Sequence, residues 1–189
     1  MRIRTLGWRW YFSAVAGFAL SASAVLAQQP QRASATGTLP STINIASANE
    51  PGTPLVVRGV LFKPDGVTPA PGVTLEIHHT DAEGWYHKAS RNREQARLLG
   101  MLQTDAHGRF EFRTIKPGKY PEGRNPAHIH FKAFGGGFDE QFPTELFFAG
   151  DPDLPPANRV PRSGKWNAVC VPARDAVGVL QCTYNIRLE

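Results

Sequence analysis

Two histidines spaced two residues apart are the side chains that point most directly to chemistry. His128 and His130 lie in the segment Pro126-Ala127-His128-Ile129-His130-Phe131, which has the apolar character of a short strand. Side chains alternate across a strand, so both imidazoles face the same side. Imidazole nitrogen is a common metal ligand. The pair therefore predicts a metal site whose remaining ligands come from elsewhere in the chain.

Two tyrosines are placed where they could reach that strand. Tyr86 ends a loop that contains Gly84 and follows a predicted strand, while Tyr120 follows a Pro-Gly turn, eight residues before His128. Loops carried by a rigid scaffold commonly supply functional side chains. From neighbouring loops, both phenol groups could converge on the histidine strand.

The segments that must position these side chains have the pattern of short strands. Turns rich in proline and glycine separate them, and only residues 91–99 have a short helical pattern. This organisation predicts an all-β fold, a β-sandwich of short, mostly antiparallel strands with long loops. The predicted strands are Leu55–Phe62, Val73–His79, Arg109–Arg113, Ala127–Ala133, Thr144–Phe148 and Gly178–Leu188.

The first 27 residues have the composition of a secretory signal peptide. A basic start with three arginines precedes an apolar stretch over residues 10–26, and Val25-Leu26-Ala27 fits a small-residue cleavage site. An uncleaved membrane anchor is the alternative, although the stretch is short for a span. Cleavage predicts an exported protein, periplasmic or extracellular, with no stable membrane span.

The remainder of the chain is predicted to contain a flexible arm and one domain. Residues 28–52 are rich in Gln, Ser, Ala and Thr, which favours a flexible N-terminal arm. Residues 53–189 are predicted to form a single domain. In an oxidising compartment, Cys170 and Cys182 are expected to pair as a disulfide. Two buried free thiols are the alternative.

The charge gives no indication of a nucleic-acid partner. The whole chain carries a net charge of +5, with 21 basic and 16 acidic residues. Without residues 1–27, which hold three arginines and no acids, the balance is 18 − 16 = +2. Because the sequence contains no basic run or stripe, nucleic-acid binding is not expected.

Three segments surround these tyrosines and histidines: residues 76–86 (EIHHTDAEGWY), residues 113–121 (RTIKPGKYP) and residues 126–131 (PAHIHF). Together they resemble the intradiol ring-cleavage dioxygenases, most of all the protocatechuate 3,4-dioxygenase type and its exported relatives. The resemblance covers roughly residues 53–152 and implies an intradiol-dioxygenase or prealbumin-like β-sandwich core. It implies one non-haem Fe(III) per chain, with Tyr86, Tyr120, His128 and His130 as ligands.

The residue types agree with that implied metal. A trivalent ion favours hard phenolate oxygens and drives tyrosine deprotonation, although the unperturbed pKa is about 10. The resemblance further implies a small aromatic diol and O2 as partners, with the ring opened between its two hydroxyl-bearing carbons to a cis,cis-muconate. In that reaction Tyr120 is the ligand that can accept a substrate proton. A homo-oligomer or a monomer would suffice, because one chain carries the whole ligand set.

The sequence departs from the family pattern at positions near the expected substrate. Many members carry arginine directly before the proline of the His-x-His segment, where this chain has Asn125. Arg124, one residue earlier, is the candidate for stabilising the substrate anion. Glu145 stands where the family usually has glutamine, so a carboxylate would alter the electrostatics of catalysis. His78 falls where tryptophan is usual, and His79 faces the other side of the strand.

Two other functions remain open from the sequence. Residues 104–112 and 117–120 also resemble prealbumin-like modules of surface proteins, which would make the chain a non-catalytic binding module. Those modules lack the His-x-His strand. A His-x-His copper or zinc protein is the other alternative, but such sites favour His, Cys or carboxylate over tyrosine.

Overall fold

The structure, a computed structural model, describes residues 38–138, 144–154 and 168–189. The predicted signal peptide and the first part of the predicted arm lie outside these ranges. Within them, no helix is long and apolar enough to cross a membrane.

Eleven strands in the described residues form two sheets around one hydrophobic core. The first sheet contains β1 (Thr42–Asn44), β2 (Pro54–Phe62), β5 (Arg109–Ile115), β9 (Ala173–Arg174), β10 (Leu180–Thr183) and β11 (Ile186–Arg187). The second contains β3 (Thr74–His79), β4 (Leu98–Gln103), β6 (His128–Phe134), β7 (Thr144–Phe148) and β8 (Ala168–Cys170). The predicted all-β sandwich is confirmed, as two mixed sheets.

The strand order places the histidine strand near the middle of the second sheet. That sheet runs β4-β3-β6-β7-β8, and the first runs β1-β5-β2-β10-β9, with β11 also beside β2. Of the described pairings, five are antiparallel and four are parallel. Because β6 has a neighbour on each side, its backbone is fixed by two ladders of hydrogen bonds.

Alternation along β6 puts the two histidines on the outer face of the second sheet. Ile129 and Phe131 are fully buried in the core, and Phe131 packs edge-on against Phe112 of the first sheet at 5.8 Å. His128 and His130 therefore face away from the core. The apolar members of the strand hold the two histidines in place without sharing their face.

The segment predicted to be helical, residues 91–99, is mostly loop and leads into a strand. A 3₁₀ helix covers only Arg93–Gln95, and β4 begins at Leu98 and pairs antiparallel with β3. Leu98 and Leu102 are both buried. A spacing of four residues fits one face of a helix and one face of a strand equally well. The residues from Leu98 onward form a strand because they pair with the edge of β3.

The predicted flexible arm differs from the structure over its described part. Residues 42–44 form β1, which runs parallel to β5. Ile43 and Ile45 are partly buried against the core. The spacing of these two isoleucines, two residues apart, is the alternation typical of a strand. The prediction of a flexible arm rested on the polar composition of residues 28–52 and overlooked this alternation.

The last predicted strand is divided in two. β10 and β11 both pair parallel with β2, and the chain bends between them at Tyr184 and Asn185. The side-chain oxygen of Asn185 accepts a hydrogen bond from the amide of Val60 at 3.0 Å. This bond satisfies a ladder donor where the strand is interrupted.

The two cysteines form the expected disulfide. Cys170 in β8 is bonded to Cys182 in β10, with 5.8 Å between their Cα atoms. The bond joins the edge strand of the second sheet to an inner strand of the first. It therefore links the two layers of the sandwich covalently.

Two loops carry the tyrosines: the Tyr86 loop, residues 80–90 after β3, and the Tyr120 loop, residues 116–127 after β5. The Gly118 amide donates to the Asp81 carbonyl at 2.8 Å, and the Thr80 hydroxyl donates to the Gly118 carbonyl at 2.8 Å. The Asp81 carboxylate accepts the Trp85 amide at 2.9 Å and so shapes the turn before Tyr86. The loops are thus joined by one backbone hydrogen bond and one side-chain-to-backbone hydrogen bond.

The loops approach so closely that two positions require glycine. A Cβ at Gly84 would overlap the carbonyl oxygen of Lys119, and a Cβ at Gly118 would overlap that of Ala82. Gly84 also has φ +89°, a conformation that glycine adopts without strain. These contacts set the separation of the two tyrosines.

We expect Gly84→Ala to separate the tyrosine loops. The positive φ alone should cost about 1–3 kcal/mol, and the overlap with Lys119 adds to it. Gly178→Ala is the matched control, because Gly178 has φ +87° with nothing within 4 Å of an added Cβ. Urea unfolding should show a clearly larger loss for Gly84→Ala. Equal losses would contradict the close contact.

Stability should fall as the pH is lowered below about 6.5. His79 is fully buried, donates Nδ1–H to the Thr80 carbonyl and accepts from the Thr114 hydroxyl, both at 2.7 Å. Burial lowers its pKa from 6.5 to about 4. Between these values the unfolded chain binds a proton that the folded chain does not. Each pH unit downward therefore removes up to about 1.4 kcal/mol.

The measurement is urea unfolding of metal-free protein from pH 7 to pH 4. His79→Gln should lose less stability over this range than the original chain, whatever its stability at pH 7. Parallel pH dependences for the two proteins would show that His79 does not contribute.

Candidate metal centre

Four donor atoms from three segments of the chain converge at one point on the outer face of the second sheet. The hydroxyl oxygen of Tyr120 lies 2.7 Å from that of Tyr86. It lies 3.4 Å from Nε2 of His128 and 3.5 Å from Nε2 of His130. The two Nε2 atoms are 3.0 Å apart. The structure thus brings all four predicted metal ligands together.

The separations fit the coordination shell of one small metal ion. Metal–oxygen and metal–nitrogen bonds of about 2.0–2.2 Å place neighbouring ligands roughly 2.8–3.5 Å apart. The measured distances, 2.7 to 3.5 Å, fall close to that interval. The donor set therefore fits a bound cation without rearrangement of the backbone.

The hydrogen bond of His128 fixes which of its nitrogens is free. Nδ1 lies 2.7 Å from the carbonyl oxygen of Pro126. A carbonyl only accepts, so Nδ1 carries the proton, and the neutral ring presents a lone pair at Nε2. That lone pair faces Nε2 of His130, an arrangement that a proton or a metal cation between the two nitrogens would stabilise. Orientation of a ligand by its second nitrogen is typical of metal sites.

Burial favours the neutral forms of three of the four predicted ligands, His130, Tyr86 and Tyr120, in the absence of a cation. Burial, followed by the neighbouring imidazoles, lowers the pKa of His130 to about 3. Burial raises the pKa of both Tyr86 and Tyr120 above the usual value. Neutral imidazole is the form that binds metal. A nearby multivalent cation reverses the effect on tyrosine, because it stabilises the phenolate.

Glu145 and the tyrosines lie on opposite sides of the His130 ring. Its Oε1 is 3.3 Å from Nδ1 of His130, and the two residues are register partners in β7 and β6. That nitrogen has no hydrogen bond of good geometry to any described residue. Ligand atoms of His128, His130 and Glu145 also lie within 4.8 Å of one another. Glu145 nevertheless approaches the nitrogen that does not face Tyr120, so it acts on His130 from outside the four-atom cluster.

His78 extends the same row of side chains. It is the register partner of His130, and its ring stacks on that of His130 with centroids 4.8 Å apart. Neither of its nitrogens has a hydrogen-bond partner among the described residues. Burial lowers its pKa to about 4. His79 faces the core, so the two adjacent histidines lie on opposite faces, as predicted.

A cavity of about 450 Å³ opens beside the donor cluster. Its size is within the ~300–1,000 Å³ range of small-molecule sites. Tyr120, His128 and His130 form its floor, and Phe147 and Pro126 supply apolar surface. Arg124, Asn125, Glu145 and Asp153 add polar groups to the wall. All the predicted site residues except Tyr86 therefore line one cavity.

The sequence did not predict the residues that form hydrogen bonds and ion pairs next to the predicted ligands. Asp151 accepts a hydrogen bond from the amide of Ala127 at 2.9 Å, and Asp153 pairs with Lys119 at 2.5 Å. The available signal was the Gly150-Asp151 turn directly after a predicted strand. Phe147, in contact with the His128 ring at 5.7 Å, was predictable from the alternation of β7.

Comparisons with known proteins agree with this geometry. A family profile described as "Dioxygenase" matches residues 30–189. The chain is 37% identical over 126 residues to the protocatechuate 3,4-dioxygenase beta chain of Burkholderia cepacia, an alignment that covers 60% of this chain and 52% of the relative. It is 31% identical to catechol 1,2-dioxygenase 2 of Acinetobacter lwoffii, over 56% and 43% of the two chains. The chain thus spans about half the length of these relatives.

A solved structure extends the similarity to the fold. The dioxygenase domain of a dioxygenase–carbohydrate-binding fusion protein from Streptomyces sp. SirexAA-E superposes with a TM-score of 0.62 and 27% identity. The match covers 86% of this chain and 96% of that domain. With the profile match over most of its length and the resemblance carried by the tyrosine and histidine segments, the chain belongs to the intradiol ring-cleavage dioxygenase family.

Proposed function

We propose that this protein is an exported Fe(III) dioxygenase that cleaves a catechol-type ring between its two hydroxyl-bearing carbons. The observation that carries the proposal is the cluster around Tyr120, whose phenol oxygen has a second phenol oxygen and two imidazole nitrogens within 3.5 Å of it. Tyr86, Tyr120, His128 and His130 would hold the metal. The similarity to protocatechuate and catechol dioxygenases supports the reaction type.

The donor chemistry favours ferric iron over other metals. Two phenolates suit a hard trivalent ion, and neutral imidazoles add affinity without more charge. When bound, ferric iron would supply the positive charge that keeps both tyrosines ionised and binds the two oxygens of the substrate. Copper and zinc sites rely on His, Cys or carboxylate ligands, which supports iron over the His-x-His alternative.

The protein residues would then orient the substrate and handle its protons. Tyr120 lines the cavity, where its oxygen, as a phenolate, can accept a proton from a substrate hydroxyl. The Arg124 guanidinium in the wall can counter the negative charge of the ring as it reacts. Both atoms of O2 enter the product, one in each of its two carboxyl groups, so the reaction needs no external reductant.

The departures from the family pattern lie in the same cavity. Glu145 introduces a carboxylate 3.3 Å from His130, and Asn125 removes a positive charge next to Arg124. Both changes make the pocket less positive than the family pattern would. We infer that they influence the rate or the choice of ring substituents, while the ligand set itself is unaffected.

The proposal of export has two independent supports. The first 27 residues have the pattern of a secretory signal peptide. The Cys170–Cys182 bond is the type of crosslink that persists in oxidising compartments. We infer a periplasmic or extracellular enzyme that acts on aromatic compounds from the surroundings.

Ferric reconstitution followed by visible spectroscopy and product analysis tests the function. Metal-free protein loaded with Fe(III) should become burgundy-red through charge transfer from tyrosinate, and catechol should shift the band. Under ¹⁸O2, the product should be a cis,cis-muconate with one labelled oxygen in each carboxyl group. A colourless protein with one bound iron, or a product with unlabelled carboxyl groups, would contradict the proposal. Zinc or copper loading provides the control for metal identity.

Tyr86→Phe should weaken iron binding and shift or bleach the visible band, because one phenolate ligand is lost. We expect at least a tenfold rise in the dissociation constant, measured by competition with a chelator. Tyr184→Phe is the matched control, since Tyr184 is equally buried but packs in the core against Phe131. Iron binding by Tyr86→Phe equal to that of the control would remove Tyr86 from the ligand set.

A further inference from the structure

We propose that the acidic loop, residues 149–154 after β7, holds the histidine strand and the Tyr120 loop in their relative positions. Asp151 and Asp153 are then positioning residues of the metal centre. The proposal rests on the proposed function for the identity of the bound metal, but the contacts on which it depends are present without metal.

Asp151 fixes the point where the histidine strand begins. Its Oδ2 accepts a hydrogen bond at 2.9 Å from the amide of Ala127, the residue directly before His128. Ala127 is only 4% exposed, so this amide has little access to water as an alternative partner. Hydrogen bonds to an ionised carboxylate are among the stronger ones in proteins. Asp151 therefore anchors the backbone next to the first histidine ligand.

Asp153 fixes the residue that precedes the tyrosine ligand. Its Oδ2 lies 2.5 Å from the ammonium group of Lys119, which is adjacent to Tyr120. The lysine side chain is half exposed, whereas that of Asp153 is mostly buried in the cavity wall. An ion pair this exposed contributes little to overall stability. Its effect is to restrain the Tyr120 loop beside the pocket.

The two aspartates act as one unit. The second oxygen of Asp151, Oδ1, accepts the amide of Asp153 at 2.9 Å. One turn of backbone thus connects the anchor on Ala127 to the anchor on Lys119. Since these residues adjoin His128 and Tyr120, the turn couples ligands from two different segments.

The base of the acidic loop is itself held firmly. The amide of Ala149 donates to the carbonyl of Cys170 at 2.8 Å, and Cys170 is bonded to Cys182 in the opposite sheet. The acidic loop therefore connects the predicted metal ligands to the rigid core of the sandwich. Metal sites lose affinity when the groups that orient their ligands are removed.

The first test measures backbone protection in metal-free protein. Asp151→Ala should accelerate amide hydrogen exchange in peptides covering residues 127–131, because the Ala127 amide loses its acceptor. Asp175→Ala is the matched control. Asp175 accepts the Val177 and Val179 amides in a similar turn of the first sheet, and it is absent from the metal cluster and its cavity. Exchange in Asp151→Ala equal to that in the control overturns the proposal.

The second test measures Fe(III) affinity by chelator competition in the same variants. Asp151→Ala should raise the dissociation constant about tenfold or more, and Asp151→Asn should have a smaller effect, because one amide oxygen still accepts. Lys119→Met and Asp153→Asn should each shift the visible band and raise KM for catechol, and combining them should add little. Affinities and spectra equal to those of Asp175→Ala would overturn the proposal.

The two tests also separate this proposal from the proposed function. An unaltered protein that binds no iron contradicts the function, and the exchange experiment then decides the role of the acidic loop alone. If Asp151→Ala does not fold, Asp151→Asn and Lys119→Met provide the same comparisons.

Discussion

The metal centre depends on close backbone contact between two loops that leave different sheets of the sandwich. The Tyr86 loop follows β3 of the second sheet, and the Tyr120 loop leaves β5 of the first sheet before entering β6. Hydrogen bonds from Gly118 to Asp81 and from Thr80 to Gly118 join them, and glycine at positions 84 and 118 permits the approach. Without this contact, the two phenol oxygens could not lie 2.7 Å apart. The same contact also places both loops over the outer face of β6.

Burial favours the neutral forms of both tyrosines and of His130 until a cation binds. It raises the pKa of each tyrosine and lowers that of His130. The hydrogen bond between the two tyrosine hydroxyls satisfies part of their polarity. A multivalent cation changes this balance, since it ionises the tyrosines and occupies the facing lone pairs of the histidines. The more positive the ion, the greater the gain, which is why the donor set favours a trivalent metal.

Much of the site was predictable from the sequence, because its residues lie in short segments with strong local patterns. The His-x-His spacing on a strand predicted two imidazoles on one face, and the structure places them there. The alternation of His78 and His79 was equally reliable. The supporting contacts were not predictable, since Asp151 reaches Ala127 across 24 residues and Asp153 reaches Lys119 across 34. Nothing local distinguishes these aspartates from the turn-capping Asp105 or Asp175.

In the fold, too, features set by local sequence were predictable, whereas features set by contacts between distant segments were not. Long alternating strands such as β2 and β5 were predicted within a residue or two of their observed limits. β1 and β4 were missed because a few apolar residues do not predict a strand unless a pairing partner is known. That partner is β5 for the strand that contains Ile43, and β3 for the strand that begins at Leu98. The short parallel pairings depend on where the sandwich brings distant segments together.

Diffraction from crystals of the ferric protein at the iron absorption edge would locate the metal among these side chains. We expect one anomalous peak within bonding distance of the phenol oxygens of Tyr86 and Tyr120 and of Nε2 of His128 and His130. A peak bound instead by Glu145 and Nδ1 of His130, or iron that does not contact both tyrosines, would contradict it.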